Sequence, residues 1–451
     1  MKTIGKYIIR ALLGRGAMGK VFKVEHPTIG KIAAIKLLDP DPLLVSLIGI
    51  EKIKGMFFAE ALTLAGLRHP NDVDIIDFDE CNGRPFYMMA YHVNNLGVLL
   101  GESSRPDEPS RRIGIDKAVY YTSQTLLGLS CLHYAGIIHR DIKPSNLLIT
   151  DRDTVKICDF GLSKLRGEKF AGPATLKVGS PWYAPPEQET DPDQVDVTAD
   201  LYALGVTFYR MLTGILPSED YHPVADFNAD LDQSWDGFIF RAIAPNANDR
   251  FSSATEMLYA LEELEHAWQI KKKDFCSAPV LSDDRLKRKT ESERVQPRSH
   301  CIKVDPPSAR KLLAVDRLWR PLVYWENDFK VHPEETIFDA VSGLMWQQAG
   351  SLFPMDWRHA QGYIDQINTT GFARHSDWRL PTIAELMTLL TERPTGNEHC
   401  IEPIFDPEQK WIWSCDRRSF TAAWYISSDL GFVAWQDFSA YFYVRAVRHI
   451  P

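Results

Sequence analysis

The sequence lacks three features that would restrict where this protein works. Its longest apolar candidate for a membrane span, residues 43–50, is far too short and is interrupted by Ser46 and Gly49. Residues 1–14 lack the apolar core of a secretory signal. The seven cysteines are scattered and none forms a C-x-x-C pair. We therefore expect no zinc site, no disulfide framework and no transmembrane segment, and a reducing cytoplasm is the simplest location.

An excess of positive charge is also absent. The 451 residues contain 51 Lys and Arg against 60 Asp and Glu, and the formal net charge of -9 argues against non-specific nucleic-acid binding. A hydrophobic content of 45% and a charged content of 25% are those of an ordinary globular protein. The length predicts two or more domains, because single cores rarely grow beyond about 250–300 residues.

The most informative stretch reads HRDIKPSN at 139–146 and is followed by DFG at 159–161. Phosphoryl transfer needs a group that orients the hydroxyl, a cation near the γ-phosphate and two oxygen ligands for Mg²⁺. Asp141, Lys143, Asn146 and Asp159 supply these groups, the last two as the candidate metal ligands. The arrangement resembles the catalytic and metal-binding loops of eukaryotic-type protein kinases.

A glycine-rich segment, LGRGAMGKV at 13–21, lies upstream of these loops. It joins two β-like runs instead of opening a helix, which favours the kinase phosphate loop over a dinucleotide-binding loop. The backbone there must close over phosphates with no side chain in the way. The residues that the resemblance places around the nucleotide are Gly14, Gly16, Gly19 and Val21.

The next two kinase signatures follow in order. AAIK at 33–36 resembles the third kinase strand, with Lys36 directed at the α- and β-phosphates, and Glu60 in a helix-compatible stretch at 56–67 is its expected partner. The adenine is expected near Met89 and Tyr91. Taken alone, Lys36 or Glu60 would be interpreted as a solvated surface residue. The ordered series of motifs around them reverses that interpretation.

The pattern continues into a C-terminal lobe. GSPWYAPPE at 179–187 resembles the end of an activation segment, and we align Glu187 with its structural glutamate, paired with Arg250. Asp200 resembles the buried aspartate that supports the catalytic loop backbone. Ser180 is expected to bond the catalytic Asp and Lys instead of being phosphorylated.

Residues 1–268 thus resemble the bacterial eukaryotic-type (Hanks-type) Ser/Thr protein kinases, and Lys143 marks the Ser/Thr class. The resemblance implies ATP, Mg²⁺ (with Mn²⁺ as an alternative) and protein substrates with Ser or Thr. It also implies regulation, because Arg140 beside the catalytic Asp needs an anion, for which phosphorylated Thr175 is the first choice.

Residues 269–315 are rich in Lys, Arg, Ser and Pro and are predicted to form a basic flexible linker, although a patch for an acidic partner or membrane surface is an alternative. From 316 to 451 the sequence is rich in tryptophan and turns, with two predicted helices at 357–368 and 382–391. Core packing is the simplest role for those tryptophans.

Three phrases of this last segment, DAVSGLMWQ at 339–347, DWRLPTIAEL at 377–386 and VRAVR at 444–448, resemble the C-terminal domain of bacterial collagen-like adhesins. That family has a C-type-lectin-like fold, which it shares with copper enzymes that use a cysteine pair. Only Cys400 and Cys415 are available here, so enzymatic activity is disfavoured and a sensor or interaction role, for a ligand or protein partner, is expected.

The predicted fold class is α+β: a bilobal protein kinase fold, a linker and a small C-type-lectin-like α+β domain. The predicted function is an autophosphorylating Ser/Thr protein kinase. The alternative is a pseudokinase or scaffold whose nucleotide site acts only as a conformational switch. Small-molecule phosphorylation is a third interpretation, and the recognisable segment at 179–187 argues against it because that segment builds a peptide-binding platform.

Overall fold

The computed structural model of the chain describes residues 2–16, 18–103, 105, 107–160, 164–165, 180–191, 193–218, 221–228, 230–277, 296–395 and 399–450. The chain divides into two units, Met1–Ala278 and Pro279–Pro451. The first has the protein kinase fold, with a sheet-rich N-lobe and a helical C-lobe, and the second is a small β-rich domain, so the α+β prediction is confirmed. No helix among the described residues is long and apolar enough to cross a membrane.

The N-lobe is one antiparallel sheet with two helices. Its strands lie in the order β1-β2-β3-β4-β6-β5. They are β1 (Thr3–Ile4), β2 (Tyr7–Arg15), β3 (Gly19–Glu25), β4 (Ile32–Leu38), β5 (Ile75–Cys81) and β6 (Arg84–Ala90). Helix α1 (Pro42–Ile48) and helix α2 (Ile50–Gly66) follow β4. Strand β4 lies between β3 and β6, and five of its seven residues are buried because neighbouring strands flank it on both sides.

Helix α2 buries one face against this sheet. Ile53, Phe57, Ala61 and Leu64 recur at the spacing of one helical face, and Glu60 falls on the same buried face. The apolar period of the helix therefore directs one carboxylate into the protein, towards β4. The sequence predicted a helix at 56–67, and the structure extends it by two turns at its N-terminus.

The C-lobe is mainly helical. Its helices are α3 (Leu96–Leu100), α4 (Ile115–Tyr134), α5 (Pro186–Thr190), α6 (Thr198–Thr213), α7 (Gln233–Ala242) and α8 (Ala254–Ser277). Its short strands are β7 (Asn94–Asn95), β8 (Ile137–Ile138), β9 (Leu147–Ile149), β10 (Val155–Ile157) and β11 (Lys164–Leu165). Helix α6 is buried over nearly its whole length and is the centre about which the lobe packs.

The described residues of the second unit form two antiparallel sheets and three α-helices. The sheets have the orders β12-β13-β14-β18 and β15-β16-β17. The strands are β12 (Phe329–His332), β13 (Thr336–Asp339), β14 (Leu344–Gln347), β15 (Trp411–Arg417), β16 (Ala422–Ser427), β17 (Phe432–Asp437) and β18 (Val447–His449). The helices are α9 (Pro306–Leu312), α10 (Trp357–Thr370) and α11 (Ile383–Thr388).

Tryptophans build much of the second core. Trp346, Trp413 and Trp424 are fully buried, and Trp346 and Trp424 pack in one cluster with Ile383 and Leu386 of α11. Both helices predicted here are present, α10 at the predicted start and α11 within the predicted range. Thr382 caps α11 and forms a reciprocal capping box with Glu385.

The structure moves both boundaries of the predicted linker. Helix α8 does not stop near residue 268 but continues to Ser277. At the other end, Val304, Ala309, Leu313 and Val315 belong to the core of the second unit, although the sequence placed them in the linker. Local composition hid this segment, because its few apolar residues become meaningful only once the strands against which they pack are known.

One expectation about cysteine is wrong. Cys301 and Cys415 form a disulfide, with 5.6 Å between their Cα atoms and 114 residues between them in sequence. Cys81, Cys131, Cys158 and Cys400 are free. The pairing depends on tertiary structure and leaves no local spacing signal, and it also means that cysteine usage does not by itself favour a reducing compartment.

Candidate active site

The ammonium of Lys36 on β4 connects the two lobes. Its Nζ lies 2.8 Å from Oε1 of Glu60 on α2 and 3.1 Å from Oδ1 of Asp159. Tyr87 on β6 donates its hydroxyl to the same oxygen of Glu60 at 3.0 Å, which fixes the carboxylate from a second side. The predicted Lys36–Glu60 pair is confirmed, and Tyr87 was not anticipated.

These contacts fix the charge states of the cleft. Burial disfavours the charged form of Lys36, but the carboxylates of Glu60 and Asp159 outweigh it, so the pKa of Lys36 is raised well above its ordinary value. In the same way, the ammonium of Lys36 lowers the pKa of Asp159. The side chain of Asp159 is 47% exposed, whereas those of Lys36 and Glu60 are almost fully buried. Asp159 is therefore an ionised carboxylate that faces the cleft.

Asp141, the predicted catalytic carboxylate, lies in a closed set of polar contacts. Lys143 Nζ lies 2.7 Å from its Oδ2 and also donates to Ser180 Oγ at 2.8 Å. Ser180 in turn donates to Asp141 Oδ1 at 3.0 Å. Asn146 Nδ2 donates to the carbonyl and to Oδ2 of Asp141, at 2.8 and 3.0 Å. The prediction that Ser180 bonds this Asp and Lys is confirmed.

Asp200 of α6 holds the backbone of the catalytic segment. Its carboxylate accepts hydrogen bonds from the backbone N–H groups of His139 and Arg140, at 2.9 and 2.8 Å, and contacts His133 Nε2 at 2.9 Å. Burial opposes ionisation, but the hydrogen bond from His133 and its charge outweigh it, so the pKa of Asp200 is lowered. The predicted supporting role of Asp200 is confirmed in its geometry.

Arg140 has an unusual backbone. Its φ of 69° lies in the left-handed region, which is costly for a residue with a side chain. Two anchors hold it there: Asp200 bonds its N–H, and the buried Gln188 donates from Nε2 to its carbonyl oxygen at 2.7 Å. The side chain of Arg140 is buried. Thr175, its predicted phosphorylated partner, lies outside the described residues.

The activation-segment end is tied to the C-lobe by the predicted ion pair. Arg250 binds Glu187 through two parallel bonds of 2.7 and 2.9 Å. The guanidinium of Arg250 also donates to the carbonyl oxygens of Ala244 and Pro245. Because Gln188 follows Glu187, this pair also positions the amide that holds Arg140.

The glycine-rich segment forms the turn between β2 and β3. Gly16 N–H bonds the carbonyl of Gly19 at 2.9 Å. A Cβ at Gly19 would lie 2.3 Å from the carbonyl oxygen of Leu37 on β4, so only glycine fits there. A Cβ at Gly14 would meet nothing within 4 Å, so its small size leaves open space beside the turn.

The remaining residues predicted to contact the nucleotide lie in or beside the N-lobe sheet. Val21 on β3 is the register partner of Lys36. Met89 lies near the end of β6, opposite Ala34, and Tyr91 follows that strand with the Nζ of Lys23 4.8 Å from its ring centroid.

Two oxygen-bearing side chains fit a divalent cation. Asn146 and Asp159 are brought together because the N–H of Cys158 bonds the carbonyl of Asn146 at 3.0 Å. Asn146 uses its Nδ2 on Asp141, which leaves the amide oxygen as the atom that would reach a metal. A carboxylate and an amide oxygen are the hard ligands that Mg²⁺ prefers, with water and phosphate oxygens completing its shell.

Three positioning residues escaped the sequence analysis: Tyr87, His133 and Gln188. Each is a single polar residue whose role follows from a contact with a distant segment, and none belongs to a spaced motif. For Gln188 a weak signal exists, because a polar side chain follows the recognisable Glu187 directly.

Comparisons with known proteins agree with this geometry. Residues 7–296 match the family described as protein kinase domain, and residues 335–448 match the Lcl C-terminal domain family. Serine/threonine-protein kinase pkn3 of Myxococcus xanthus is 32% identical over 291 residues, which cover 58% of this chain and 51% of that protein. Serine/threonine-protein kinase PksC of Streptomyces coelicolor is 32% identical over 275 residues, covering 56% and 48%.

The chain spans about half the length of these curated relatives. Among solved structures, the kinase domain of Mycobacterium tuberculosis PknI is 26% identical, with a TM-score of 0.43, and the match covers 58% of this chain and 97% of that one.

Proposed function

This chain belongs to the protein kinase family, and we propose that it transfers the γ-phosphate of ATP to serine and threonine hydroxyls of proteins. One observation carries the proposal: Lys36 contacts Glu60 and Asp159 at the same time, at 2.8 and 3.1 Å. That arrangement presents a buried ammonium and an ionised carboxylate together at the cleft. Phosphoryl transfer depends on positioned charges of this kind.

The nucleotide is proposed to lie between the lobes. The backbone around Gly14, Gly16 and Gly19 covers its phosphates, and Lys36 steadies the α- and β-phosphates while Glu60 holds Lys36 in place. Asn146 and Asp159 would hold Mg²⁺, which when bound would neutralise charge on the phosphate oxygens. The adenine is proposed to lie beside Met89 and Tyr91.

Asp141 is proposed to align the substrate hydroxyl. A bond forms between the seryl or threonyl oxygen and the γ-phosphorus, and the bond from that phosphorus to the β–γ bridging oxygen breaks. The hydroxyl proton passes to the carboxylate of Asp141, and ADP leaves with the bridging oxygen. Lys143, bonded to both Asp141 and Ser180, supplies positive charge beside the transferring group and keeps Asp141 oriented.

Two variants test the proposal. We expect Lys36→Ala and Asp141→Asn each to lower transfer of labelled phosphate from ATP by at least about 1000-fold, because each removes a group that acts in the transition state. Lys54→Ala is the matched control, since Lys54 lies on α2 and forms an ion pair with the exposed Glu51 at 3.1 Å. Transfer is measured to the chain itself and to myelin basic protein.

Thermal unfolding of each variant shows whether the fold is intact. Undiminished transfer by folded Lys36→Ala or Asp141→Asn protein contradicts the assigned roles. ATP binding by the parent without any transfer would instead support the scaffold alternative, in which the nucleotide only switches the conformation.

Regulation is proposed to run through Arg140, whose guanidinium attracts a phosphate on the activation segment. Thr175 is the first candidate. We expect Thr175→Ala to autophosphorylate more slowly than the parent, with phosphosite mapping by mass spectrometry identifying the modified residue. An unchanged rate, or no phosphate at position 175 in active parent protein, rules this scheme out.

A further inference from the structure

Four cations gather on one surface of the second unit. Lys303 precedes α9, Arg310 lies on it, and Arg417 and Arg418 lie where β15 turns towards β16. We call these four residues the cationic face. Lys303 and Arg417 are bridge partners in adjacent segments, so three separate stretches of the chain meet here. All four side chains are exposed.

Aromatic rings support three of the four. The guanidinium of Arg310 lies 5.2 Å from the ring of Trp319, and that of Arg418 lies 4.8 Å from the ring of Trp435. The two tryptophans contact each other edge to face at 5.1 Å. Each ring of this aromatic pair therefore holds one of the two guanidinium groups.

Lys303 is placed in the same way. Its Nζ lies 3.7 Å from the ring centroid of Phe420, in the turn that also carries Arg417 and Arg418. Phe420 is 79% exposed, although phenylalanine is a residue type that is mostly buried. The turn at 417–420 thus links the lysine to the two arginines.

These charges lack an ion-pair partner among the described residues: none of the four cations has a carboxylate oxygen within 4 Å there, and Arg310 donates a hydrogen bond to the carbonyl of Arg317. Elsewhere in the same unit, Arg298, Arg379 and Arg448 are paired with Asp416, Glu385 and Asp377. The cationic face thus concentrates unneutralised charge on a chain whose net charge is -9.

The chemistry of these groups defines the ligand. A guanidinium stacked on tryptophan keeps its edge N–H donors available, and their fork matches the oxygens of a phosphate. Because the rings already restrict the side chains, less conformational entropy is lost when an anion binds. A neighbouring ammonium adds a third point of attraction for a dianionic group.

We propose that the cationic face binds phosphorylated serine or threonine segments of proteins. The inference rests on the proposed kinase function, because that reaction, assigned to the first unit of the same chain, makes such segments. An extended polyanion such as duplex DNA fits less well, since the overall charge of -9 repels it beyond the small basic area. The second unit would thereby retain the products of the first.

Binding can be measured without any catalysis. The full chain, treated with phosphatase and kept free of ATP, is titrated into a fluorescent peptide with one phosphothreonine and into its unphosphorylated twin, and anisotropy is recorded. We expect the phosphorylated peptide to bind at least about tenfold more tightly, and Arg310→Gln/Arg418→Gln to remove most of that preference. Arg358→Gln/Arg393→Gln, at two exposed positions of the same unit, is the charge-matched control and should bind like the parent.

Further variants separate the explanations. Arg310→Lys/Arg418→Lys keeps the charge but loses the bidentate fork, so an intermediate affinity is expected. Near-ultraviolet circular dichroism shows whether the tryptophan packing survives each change. The Lys36→Ala chain should bind the phosphopeptide unchanged, so failure of the kinase proposal and failure of this one give different results.

Three results overturn the inference. These are equal affinity for the two peptides, parent-like affinity in the folded double glutamine variant, and tighter binding to a short DNA duplex or to phosphatidylserine-containing vesicles than to the phosphopeptide. The last result would assign the cationic face to nucleic acid or membrane instead.

Discussion

The two units each bury an aspartate completely, and the two carboxylates serve different ends. Asp200 in the first unit and Asp416 in the second are both 0% exposed. Asp200 bonds the backbone N–H groups of His139 and Arg140, and Nε2 of His133 contacts it at 2.9 Å. Asp416 instead faces a guanidinium, that of Arg298, through bonds of 3.1 and 2.6 Å.

The backbone partners of Asp416 differ in kind as well. They are the N–H groups of Ile302 and Ile383, which belong to the segment that enters the second unit and to the start of α11. Asp200 thus maintains a costly backbone conformation beside an open cleft, whereas Asp416 ties ordinary backbone to the core. A buried carboxylate indicates function only when its partners face a cleft and carry strain.

The largest effect is expected from removing each aspartate in turn. Asp416→Ala leaves the guanidinium of Arg298 largely buried without its counter-charge, and we expect the second unit to lose about 3–5 kcal/mol of unfolding free energy. Phosphate transfer should remain near the parent rate. Asp200→Ala should lower that rate by at least about 100-fold, because the catalytic segment loses two anchors.

Urea unfolding followed by tryptophan fluorescence, together with the labelled-phosphate assay, separates the two variants. Asp365→Ala, on the exposed face of α10, controls for loss of a carboxylate. The comparison fails if Asp416→Ala slows transfer as strongly as Asp200→Ala does, or if Asp200→Ala retains the parent rate.

A somewhat smaller effect is expected from the disulfide, which belongs to the second unit alone. Cys301→Ser should lower the unfolding free energy of that unit by about 2–4 kcal/mol, because the bridge closes a loop of more than 100 residues. Reductant should destabilise the parent to the same extent and leave the variant unchanged. Cys81→Ser, a free thiol of the first unit, is the control.

Alkylation and mass spectrometry check the same point directly. Non-reduced parent protein should contain one pair of cysteines that does not react after denaturation. If all cysteines are alkylated, or if reductant leaves parent stability unchanged, the bridge does not stabilise the protein.

The smallest predicted effect concerns a further buried aspartate of the first unit, Asp72. Asp72, in the loop between α2 and β5, is 1% exposed, with the thiol of Cys131 as a hydrogen-bond partner and Nδ1 of His69 3.9 Å from its Oδ2. Burial, aided by the charge of Asp74, raises its pKa from 3.8 to about 7 against the charge of Lys156 and the hydrogen bond from Cys131. The loop is therefore expected to respond to pH.

The direction in which stability changes with pH follows from the protonation of Asp72 in the folded and the unfolded chain. Between pH 4 and 7 the unfolded chain loses the Asp72 proton while the folded chain keeps it, so stability falls as pH rises through this range and stays lower above pH 7. Asp72→Asn is neutral throughout. It should match the parent near pH 4 and be more stable by about 1–3 kcal/mol at pH 8.

Urea unfolding of parent and variant at several pH values gives this difference. Asp74→Asn, whose side chain is 64% exposed, should show little of it. A parent–variant gap that stays constant with pH would mean that Asp72 does not take up a proton on folding.

Much of the first unit could be predicted because its polar residues recur in spaced motifs. Lys36 with Glu60, Glu187 with Arg250, and the supporting role of Asp200 all agree with the structure. The second unit was harder to predict. Its start was placed at residue 316 because the segment before it is polar overall, and Val304 gives no periodic signal.

In both units, the sequence analysis missed residues that do not belong to a spaced motif. Tyr87 and Gln188 each bond a group far away in sequence, and Cys301 meets Cys415 only after the chain has folded. Periodicity reports which face of an element is buried, but it does not report which distant segment covers that face. The nucleotide and metal roles of the site residues stay predictions.

The contacts of residues 298–304 with the rest of the second unit determine where a fragment containing that unit can begin. A recombinant fragment that begins at residue 316 would lack Arg298, Cys301 and Val304, and would expose the side of β15 that they cover. Such a piece would be prone to aggregate through its uncovered strand. One that starts ahead of Arg298 keeps Arg298 and Ile302 as partners of Asp416 and Cys301 as the partner of Cys415, and so leaves that side of β15 covered.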